Sequence, residues 1–294
     1  MEARIPVLDL HMHSTVSDGT DTPEALLAHV KEAGIELFSL TDHDAIEGCR
    51  RILAIRTEED PAFVAGIEFS CRDEEGQYHI LGYGYDPDAA AINAAVNEGH
   101  AFRMRKITGR LDFLKERFGF TFREEDVDRL LSLANPGKPH IGNLMVVYGY
   151  AKTKEEAITK FINQAEFKDR YIRPENAIKG ILESGGIPVL AHPLYGSGDQ
   201  LILGEALETR VKKLMGFGLL GVEAFYSGFT DKLRNEVLAL AEKYDLYVTA
   251  GSDYHGSNKL IHIGDTGMDQ ITEVPKGLLR FLQRIQERET EEIE

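Results

Sequence analysis

Seven short apolar segments alternate with longer stretches of helical character along most of this chain of 294 residues. Such an alternation is typical of βα units that pack around a parallel sheet. The first unit has clear helix signals, because Thr22 can cap the helix, Pro23 can occupy its first turn and Gly34 can follow its end. The chain is therefore predicted to be α/β, with strands at residues 5–10, 35–40, 62–69, 78–85, 187–191, 221–226 and 246–251.

The alternation stops between about residue 90 and residue 173. The segments there are helical in character and heavily charged, for example "NEGHAFRMRKITGRLDFLKERFG" and "TKEEAITKFINQAEF". An all-helical block between strand signals is typical of an insertion carried by a βα scaffold. We predict a scaffold of residues 1–90 and 174–294 and a helical insertion at residues 91–173.

The charge balance limits the partners of this chain. Lysine and arginine number 33 and aspartate and glutamate number 49, a formal net charge of −16, which disfavours long nucleic acids and anionic membranes. Two cysteines, Cys49 and Cys71, are too few for a disulfide framework and favour a reducing compartment. No signal-peptide pattern and no apolar run of ~20 residues is present. We expect a cytoplasmic protein that acts on a small or short substrate, without membrane association or an obligate protein partner.

Residues with metal-binding side chains follow the predicted strands in order along the chain. The carboxyl ends of parallel strands meet at one rim, where functional residues gather. Six of the ten histidines fall near this predicted rim together with two carboxylates: His11, His13, His43, Glu68, His79, His192, Asp253 and His255. One such histidine is more often a hydrogen-bonded structural residue than a ligand, but an ordered set of this size favours a metal centre.

The spacing within the set agrees with metal binding. Side chains alternate across a strand, so the pairs His11/His13 and Asp253/His255 each place two ligands on one side of the chain. Imidazole and carboxylate ligands accept Mn, Fe or Zn, and a carboxylate can bridge two ions. The set exceeds the roughly four to six ligands that one ion takes. We therefore predict two or three divalent metal ions.

Three further acidic residues have separate interpretations. Asp42 and Glu223 are predicted to orient metal ligands through hydrogen bonds. Asp44 precedes the segment "AIEGCRRILAI" and is predicted to be the N-cap of a helix.

The ordered segments "DLHMHSTVSDGTDTPEALL", "LFSLTDHD", "GIEFS", "YHILGY", "VLAHP" and "AGSDYH" resemble the successive motifs of the PHP superfamily, the polymerase and histidinol phosphatase domain. The resemblance implies a distorted (β/α)7 barrel with a trinuclear metal centre. It assigns one ion to His11, His13, Glu68 and Asp253, a second to Glu68 as a bridge with His79 and His192, and a third to Asp18, His43 and His255. Asp18 enters only through the resemblance, because "SDG" alone indicates a turn.

The aspartate in "SDG" and the helical insertion are similar to the branch of 3′,5′-nucleotide bisphosphate phosphatases and short-oligonucleotide 5′-nucleases. In that branch the insertion is a lid over the metals. The resemblance implies substrate binding by Arg103 and Arg105 in "GHAFRMRKITGR" and by Lys138 and His140 in "GKPHIGN". The alternative is that the basic residues Arg105, Lys106 and Arg110 lie on a solvated helix face.

We expect phosphoester hydrolysis by metal-bound hydroxide, with the 3′-phosphate of a 3′,5′-nucleotide bisphosphate as the scissile group. "GYGYDP" lacks the Lys and Ser/Thr of a Walker motif, so no phosphate loop is predicted. Three alternatives stay open: a 5′-to-3′ exonuclease on short RNA, a histidinol-phosphate phosphatase, and a metal-binding module without enzymatic activity.

Overall fold

The computed structural model describes residues 6–133, 135–167, 171–196, 200–271 and 273–291. Backbone contacts join the two edges of its sheet, because the Leu10 amide donates to the Ala250 carbonyl at 2.9 Å and Met12 pairs with Tyr254 in an isolated bridge. The sheet is therefore a nearly closed barrel, which confirms the predicted seven-stranded α/β barrel. Its strands follow in chain order: β1 (Leu8–Asp9), β2 (Leu37–Leu40), β3 (Ala62–Arg72), β4 (Gln77–Tyr83), β5 (Ile187–Leu190), β6 (Gly221–Tyr226) and β7 (Tyr247–Gly251).

Strand β4 runs opposite to its neighbours. It pairs antiparallel with both β3 and β5, whereas the other strand pairs are parallel. The chain reverses between β3 and β4 in a tight turn, where Asp73 Oδ1 accepts the amides of Glu75 and Gly76 at 2.8 and 3.2 Å. A connection this short permits only an antiparallel pair. The expectation of a fully parallel sheet is therefore wrong for this strand.

The reversal of β4 brings His79 to the rim of the metal-binding residues. His79 lies near the start of β4 and pairs with Ser70, near the carboxyl end of β3. The amino end of β4 thus meets the carboxyl ends of the parallel strands. In a parallel strand a residue at this position would lie at the opposite end of the barrel.

The described residues contain ten α-helices. Helix α1 begins as predicted, since the Thr22 hydroxyl accepts the Ala25 amide at 3.2 Å. The bounds are α1 (Pro23–Glu32), α2 (Glu47–Ile55), α3 (Ala90–Phe118), α4 (Glu124–Leu131), α5 (Lys138–Val147), α6 (Lys154–Lys160), α7 (Pro174–Glu183), α8 (Gly204–Gly216), α9 (Asp231–Lys243) and α10 (Lys276–Glu291). Among the described residues, no helix combines the length and apolar character needed to cross a bilayer.

Helix α3 connects the barrel to the predicted lid. Its 29 residues extend roughly 44 Å at the usual helical rise. Its first turns belong to the barrel core through Ile92 and Ala95, whereas Ile107 and Leu114 belong to a separate hydrophobic core shared with α4, α5 and α6. The helices of the predicted insertion therefore bury an apolar core of their own. The domain limits at residues 90 and 174 stay a prediction.

We expect Phe281→Ala in α10 to lower the free energy of unfolding by about 3–5 kcal/mol. Phe281 is fully buried, and its ring lies 5.5 and 6.2 Å from the rings of Tyr83 and Tyr247. Urea denaturation measures the loss. Leu279→Ala is the matched control on the same helix, because Leu279 is 40% exposed and should cost about 0.5 kcal/mol or less. Equal losses in the two variants would contradict the packing of α10 on the barrel.

Candidate metal centre

The structure brings all nine predicted metal ligands together at one rim of the barrel. Seven of them line one cleft: Asp18, His43, Glu68, His79, His192, Asp253 and His255. The other two, His11 and His13, are fully buried beneath it and contact Glu68 and Asp253. The ligands follow β1, β2, β5 and β7 or lie on β3 and β4, so neighbouring strand ends place them side by side.

Glu68 occupies the centre of the cluster. Its side chain is 1% exposed, and its two carboxylate oxygens approach five imidazole rings. The contacts are His79 Nδ1 at 2.8 Å, His43 Nδ1 at 3.0 Å, His13 Nε2 at 3.2 Å, His11 Nε2 at 3.3 Å and His192 Nε2 at 3.4 Å. A carboxylate in this position can bridge metal ions, as the family resemblance implies for Glu68.

Two further groups of ligand atoms flank Glu68. On one side, Asp253 Oδ1 lies 3.6 and 3.4 Å from the Nε2 atoms of His11 and His13. On the other side, Asp18 Oδ1 lies 3.3 Å from His255 Nε2, and Asp18 Oδ2 lies 4.0 Å from His43 Nε2. The groups correspond to the first and third predicted ion sites. His43 differs from the expectation in lying near Glu68 as well as near Asp18.

The ligand atoms fit divalent cations. His11 Nε2, His13 Nε2, Asp18 Oδ1 and Glu68 Oε2 are buried without a hydrogen-bond partner in the part of the chain that the structure describes. One buried polar atom without a partner costs about 1–3 kcal/mol. Four such atoms, all of ligand type and all in one cluster, fit a site where divalent metal ions would complete their coordination.

Glu223 orients two of the histidines. Its Oε1 lies 2.9 Å from His11 Nδ1, and its Oε2 accepts the backbone amide of His192 at 2.8 Å. The first contact directs His11 Nε2 toward Glu68, and the second holds the backbone that carries the His192 ring. A carboxylate behind a metal-binding imidazole also raises its basicity, which is the role predicted for Glu223.

Asp42 acts on the loop between two predicted ligands. Its Oδ1 accepts the Ser14 amide at 2.8 Å and the Ser17 hydroxyl at 2.7 Å, and its Oδ2 accepts the Ser14 hydroxyl at 2.8 Å. The loop so held runs from His13 to Asp18. Asp42 therefore acts on the ligands indirectly, through the Ser14 backbone and through the Ser17 hydroxyl, which lies 3.4 Å from His13 Nδ1.

The prediction that Asp44 caps α2 is wrong. Helix α2 begins at Glu47, with Ile46 in the N-cap position. The Asp44 carboxylate instead accepts the Ser70 amide at 2.9 Å and pairs with Arg103 of α3 at 2.5 Å. The lid provides the stronger partner, a guanidinium that lies far away in the sequence.

The four predicted substrate-binding residues make contacts with other parts of the protein. Arg103 pairs with Asp44, and Lys138 donates to Asn163 at 2.6 Å. His140 Nδ1 accepts the Gly137 amide at 3.0 Å, and Arg105 is exposed, with its guanidinium 5.4 Å from the Phe102 ring. None of these four is among the described residues that line the cleft.

Two neighbouring basic residues are not on a solvated face. Lys106 and Arg110 are each only 7% exposed. Their cationic groups lie 3.6 Å from the Tyr171 ring and 5.4 Å from the Phe167 ring, so aromatic faces replace the solvent. The solvated-face alternative is therefore wrong for Lys106 and Arg110.

Sequence reasoning missed the polar residues that face the metal ligands. Lys154, Asn258 and Lys259 line the cleft. Lys259 Nζ lies 2.6 Å from Asp253 Oδ2. Because Lys259 follows the predicted ligand His255 by four residues, the sequence could have indicated that it lines the cleft. Lys154 has no comparable signal, because only the packing of the lid brings it to this place.

Two histidines of the cluster, His13 and His43, have pKa values that are shifted in opposite directions. Burial by itself lowers the pKa of His13, but contacts with Asp253 and Glu68 and the negative charges of Glu68 and Asp18 outweigh burial and raise this pKa to about 9. At His43 burial prevails and lowers the pKa to about 3. At neutral pH a metal ion must therefore displace a proton from His13 but meets a neutral ring at His43.

We expect the metal-free protein to lose stability between about pH 6.5 and pH 9. A histidine whose pKa is raised on folding stabilises the folded state fully below its unfolded pKa of about 6.5. For His13 that contribution is lost as the pH passes through the folded pKa of about 9. Thermal unfolding of chelator-treated protein over this range tests the expectation. His13→Gln should show a weaker pH dependence, and an unchanged slope in the variant would contradict it.

We expect Glu68→Gln to lower the bound metal by at least about one ion per chain, because it removes the charge that five imidazoles share. Mass spectrometry of metals in the purified protein measures the change. Glu155→Gln is the matched control, since Glu155 lines the same cleft but its side chain is 71% exposed. An unchanged metal content in Glu68→Gln would contradict the central position of Glu68.

Three relatives match most of this chain. A phosphoribosyl 1,2-cyclic phosphate 1,2-diphosphodiesterase of Eggerthella lenta is 32% identical over 87% of this chain and 97% of the relative. A 5′-3′ exoribonuclease of Haemophilus influenzae is 26% identical over 87% and 92% of the two chains. A 3′,5′-nucleoside bisphosphate phosphatase of Chromobacterium violaceum is 26% identical over 84% and 87%.

The fold and the family agree with these relatives. A solved structure of an amidohydrolase from Chromobacterium violaceum matches 96% of each chain with a TM-score of 0.78, and its 23% identity supports the fold alone. The PHP domain matches residues 9–172, more than half of the chain. The relatives all act on phosphoester bonds, so the prediction of a phosphoester hydrolase is confirmed. This chain belongs to the PHP domain family.

Proposed function

We propose that this chain removes the 3′-phosphate from a 3′,5′-nucleoside bisphosphate. The observation that carries the proposal is the rim cluster, in which five imidazoles surround Glu68 beside a cleft with cationic residues. The cluster supplies ligands for the ions that phosphoester hydrolysis needs. Lys154 and Lys259 supply positive charge for an anionic substrate.

The size of the cleft supports a small substrate. It encloses about 350 Å³, which is in the range of sites for single small molecules. Seven of the metal ligands line the cleft together with Pro139, Lys154 and Ile158 of the lid. The net charge of −16 also disfavours a long polyanion. A nucleotide fits these constraints better than a polymer.

The reaction would depend on metal ions held by the rim. His11, His13, Glu68 and Asp253 would hold one ion, Glu68, His79 and His192 a second, and Asp18, His43 and His255 a third. Bound there, the ions would lower the pKa of a water molecule and stabilise negative charge on the phosphoryl oxygens. Glu223 keeps the ring of His11 directed at Glu68 and holds the backbone of His192.

The lid residues would hold the rest of the substrate. We retain Arg103, Arg105, Lys138 and His140 as predicted substrate contacts. Burial lowers the pKa of His140, whereas the charge of the predicted ligand Asp18 opposes that effect. Arg103 borders the same region through its pair with Asp44, the residue after His43.

A cyclic phosphodiester of ribose is the second candidate substrate. The relative with that activity has 32% identity and is covered over 97% of its length. Exonuclease activity on short RNA would use the same metal ligands and is the third candidate. Histidinol phosphate is disfavoured, because its ammonium group would meet Lys154 and Lys259 in the cleft.

A hydrolysis screen that measures released phosphate and separates the nucleotide products by chromatography tests the proposal, because cleavage of a phosphodiester releases no inorganic phosphate. With Mn²⁺ we expect the highest kcat/KM for adenosine 3′,5′-bisphosphate, compared with phosphoribosyl 1,2-cyclic phosphate, a 5′-phosphorylated dinucleotide and histidinol phosphate. We expect His43→Ala to lower kcat/KM by about 100-fold or more, since it removes a ligand. His262→Ala, at an exposed residue outside the cluster, is the matched control. Absence of phosphate release from adenosine 3′,5′-bisphosphate with Mn²⁺, Fe²⁺ and Zn²⁺ would overturn the proposal.

A further inference from the structure

A lysine of the lid crosses the cleft to the barrel. Lys154 is the first residue of α6, and its Nζ donates to Asn258 Oδ1 at 2.8 Å. Asn258 lies in the short turn Gly256–Asn258 after β7 and donates its Nδ2 to the carbonyl of Asp18 at 2.7 Å. One amide side chain thus connects the lid lysine to the loop of a predicted metal ligand.

The charge of Lys154 is only weakly compensated. Among the described residues, its ion-pair partner is Glu155, 3.8 Å away and with a side chain that is 71% exposed. An exposed pair at this distance contributes little. Its closer partner, Asn258, is neutral. Lys259, the other lysine of the cleft, is by contrast held by Asp253 at 2.6 Å.

An incoming phosphate can therefore replace the neutral partner of Lys154. A hydrogen bond from an ammonium to a phosphate is charge-assisted and stronger than one to an amide. The lysine side chain is 27% exposed, so it is accessible from the cleft and already oriented by its contact. Exchange of Asn258 for an anion requires only a local rotation of the side chain.

We propose that Lys154 is a specificity-determining residue that binds the second, non-reacting phosphate of the substrate, with Asn258 as its positioning residue. This inference rests on the proposed function. The metal ligands that would take the reacting phosphate and Lys154 line the same cleft, so the rest of the molecule would extend from the ligands to Lys154. The substrate class is therefore a small molecule with phosphates at two separate positions.

Two substrates with the same reacting group test this inference. Adenosine 3′,5′-bisphosphate and adenosine 3′-monophosphate share the 3′-phosphate and differ only in the 5′-phosphate. In the metal-loaded wild type we expect a preference for the bisphosphate, as a ratio of kcat/KM. Lys154→Met should lower this ratio by about 10- to 100-fold, mainly through KM, since one charge-assisted contact is lost. Lys154→Arg should restore most of the preference.

Lys160→Met is the matched control. Lys160 lies on the same helix but pairs with Glu156 at 2.9 Å, and its side chain is 66% exposed. We expect an unchanged ratio in this variant. Asn258→Ala should lower the ratio less than Lys154→Met does, because it removes the positioning contact and keeps the charge. Thermal unfolding of each variant checks that the lid remains folded.

Binding of adenosine 5′-monophosphate gives a readout apart from catalysis. Calorimetric titration should show weaker binding to Lys154→Met by about 10-fold or more, with little change for adenosine. Equal losses of affinity for both ligands in Lys154→Met would overturn the inference. So would an effect of Lys160→Met as large as that of Lys154→Met, or equal affinity of the wild type for the two ligands. If the wild type releases no phosphate from any substrate, the proposed function fails, whereas the binding comparison still decides the role of Lys154.

Discussion

The contact of one buried carboxylate with five imidazoles organises the rim of this barrel. Glu68 is 1% exposed, and a buried charge is tolerated only with partners or metal ions. Its partners come from segments that follow β1, β2 and β5 or lie on β4, so the carboxylate holds distant parts of the chain at one point. The strands of the barrel position the cluster, and the imidazoles of the cluster balance the buried charge of Glu68.

The reversed direction of strand β4 explains the position of His79 and the path of the chain to the lid. Because β4 runs antiparallel, its start carries His79 at the rim and its end lies at the opposite side of the barrel. Helix α3 must therefore return along the barrel before it can contribute to the lid. Its 29 residues are long enough for that path, with Ile92 in the barrel core and Ile107 in the lid core.

The lid contacts the barrel at the segments that carry metal ligands. Arg103 pairs with Asp44, next to His43, and Asn135 donates to the backbone carbonyl of His43. Lys154 reaches Asn258, which in turn holds the carbonyl of Asp18. The placement of the lid and the geometry of the ligands are thus coupled. In the proposed function, Lys154 would contact the second phosphate of the substrate, while its partner Asn258 holds the loop of the predicted ligand Asp18.

Local features of the sequence determined the seven strands, the capped start of α1 and eight of the nine candidate ligands, whereas Asp18 came from the family resemblance. These follow from apolar periodicity, from Thr22 and Pro23 at a helix start, and from the side chains at strand ends, all of which depend on neighbours in the chain. Only the tertiary structure decided the direction of β4, the pairing of Asp44 with Arg103, the burial of Lys106 and Arg110, and the presence of Lys154 in the cleft. The physical reason is that these features depend on contacts between residues far apart in sequence, which local sequence patterns do not predict.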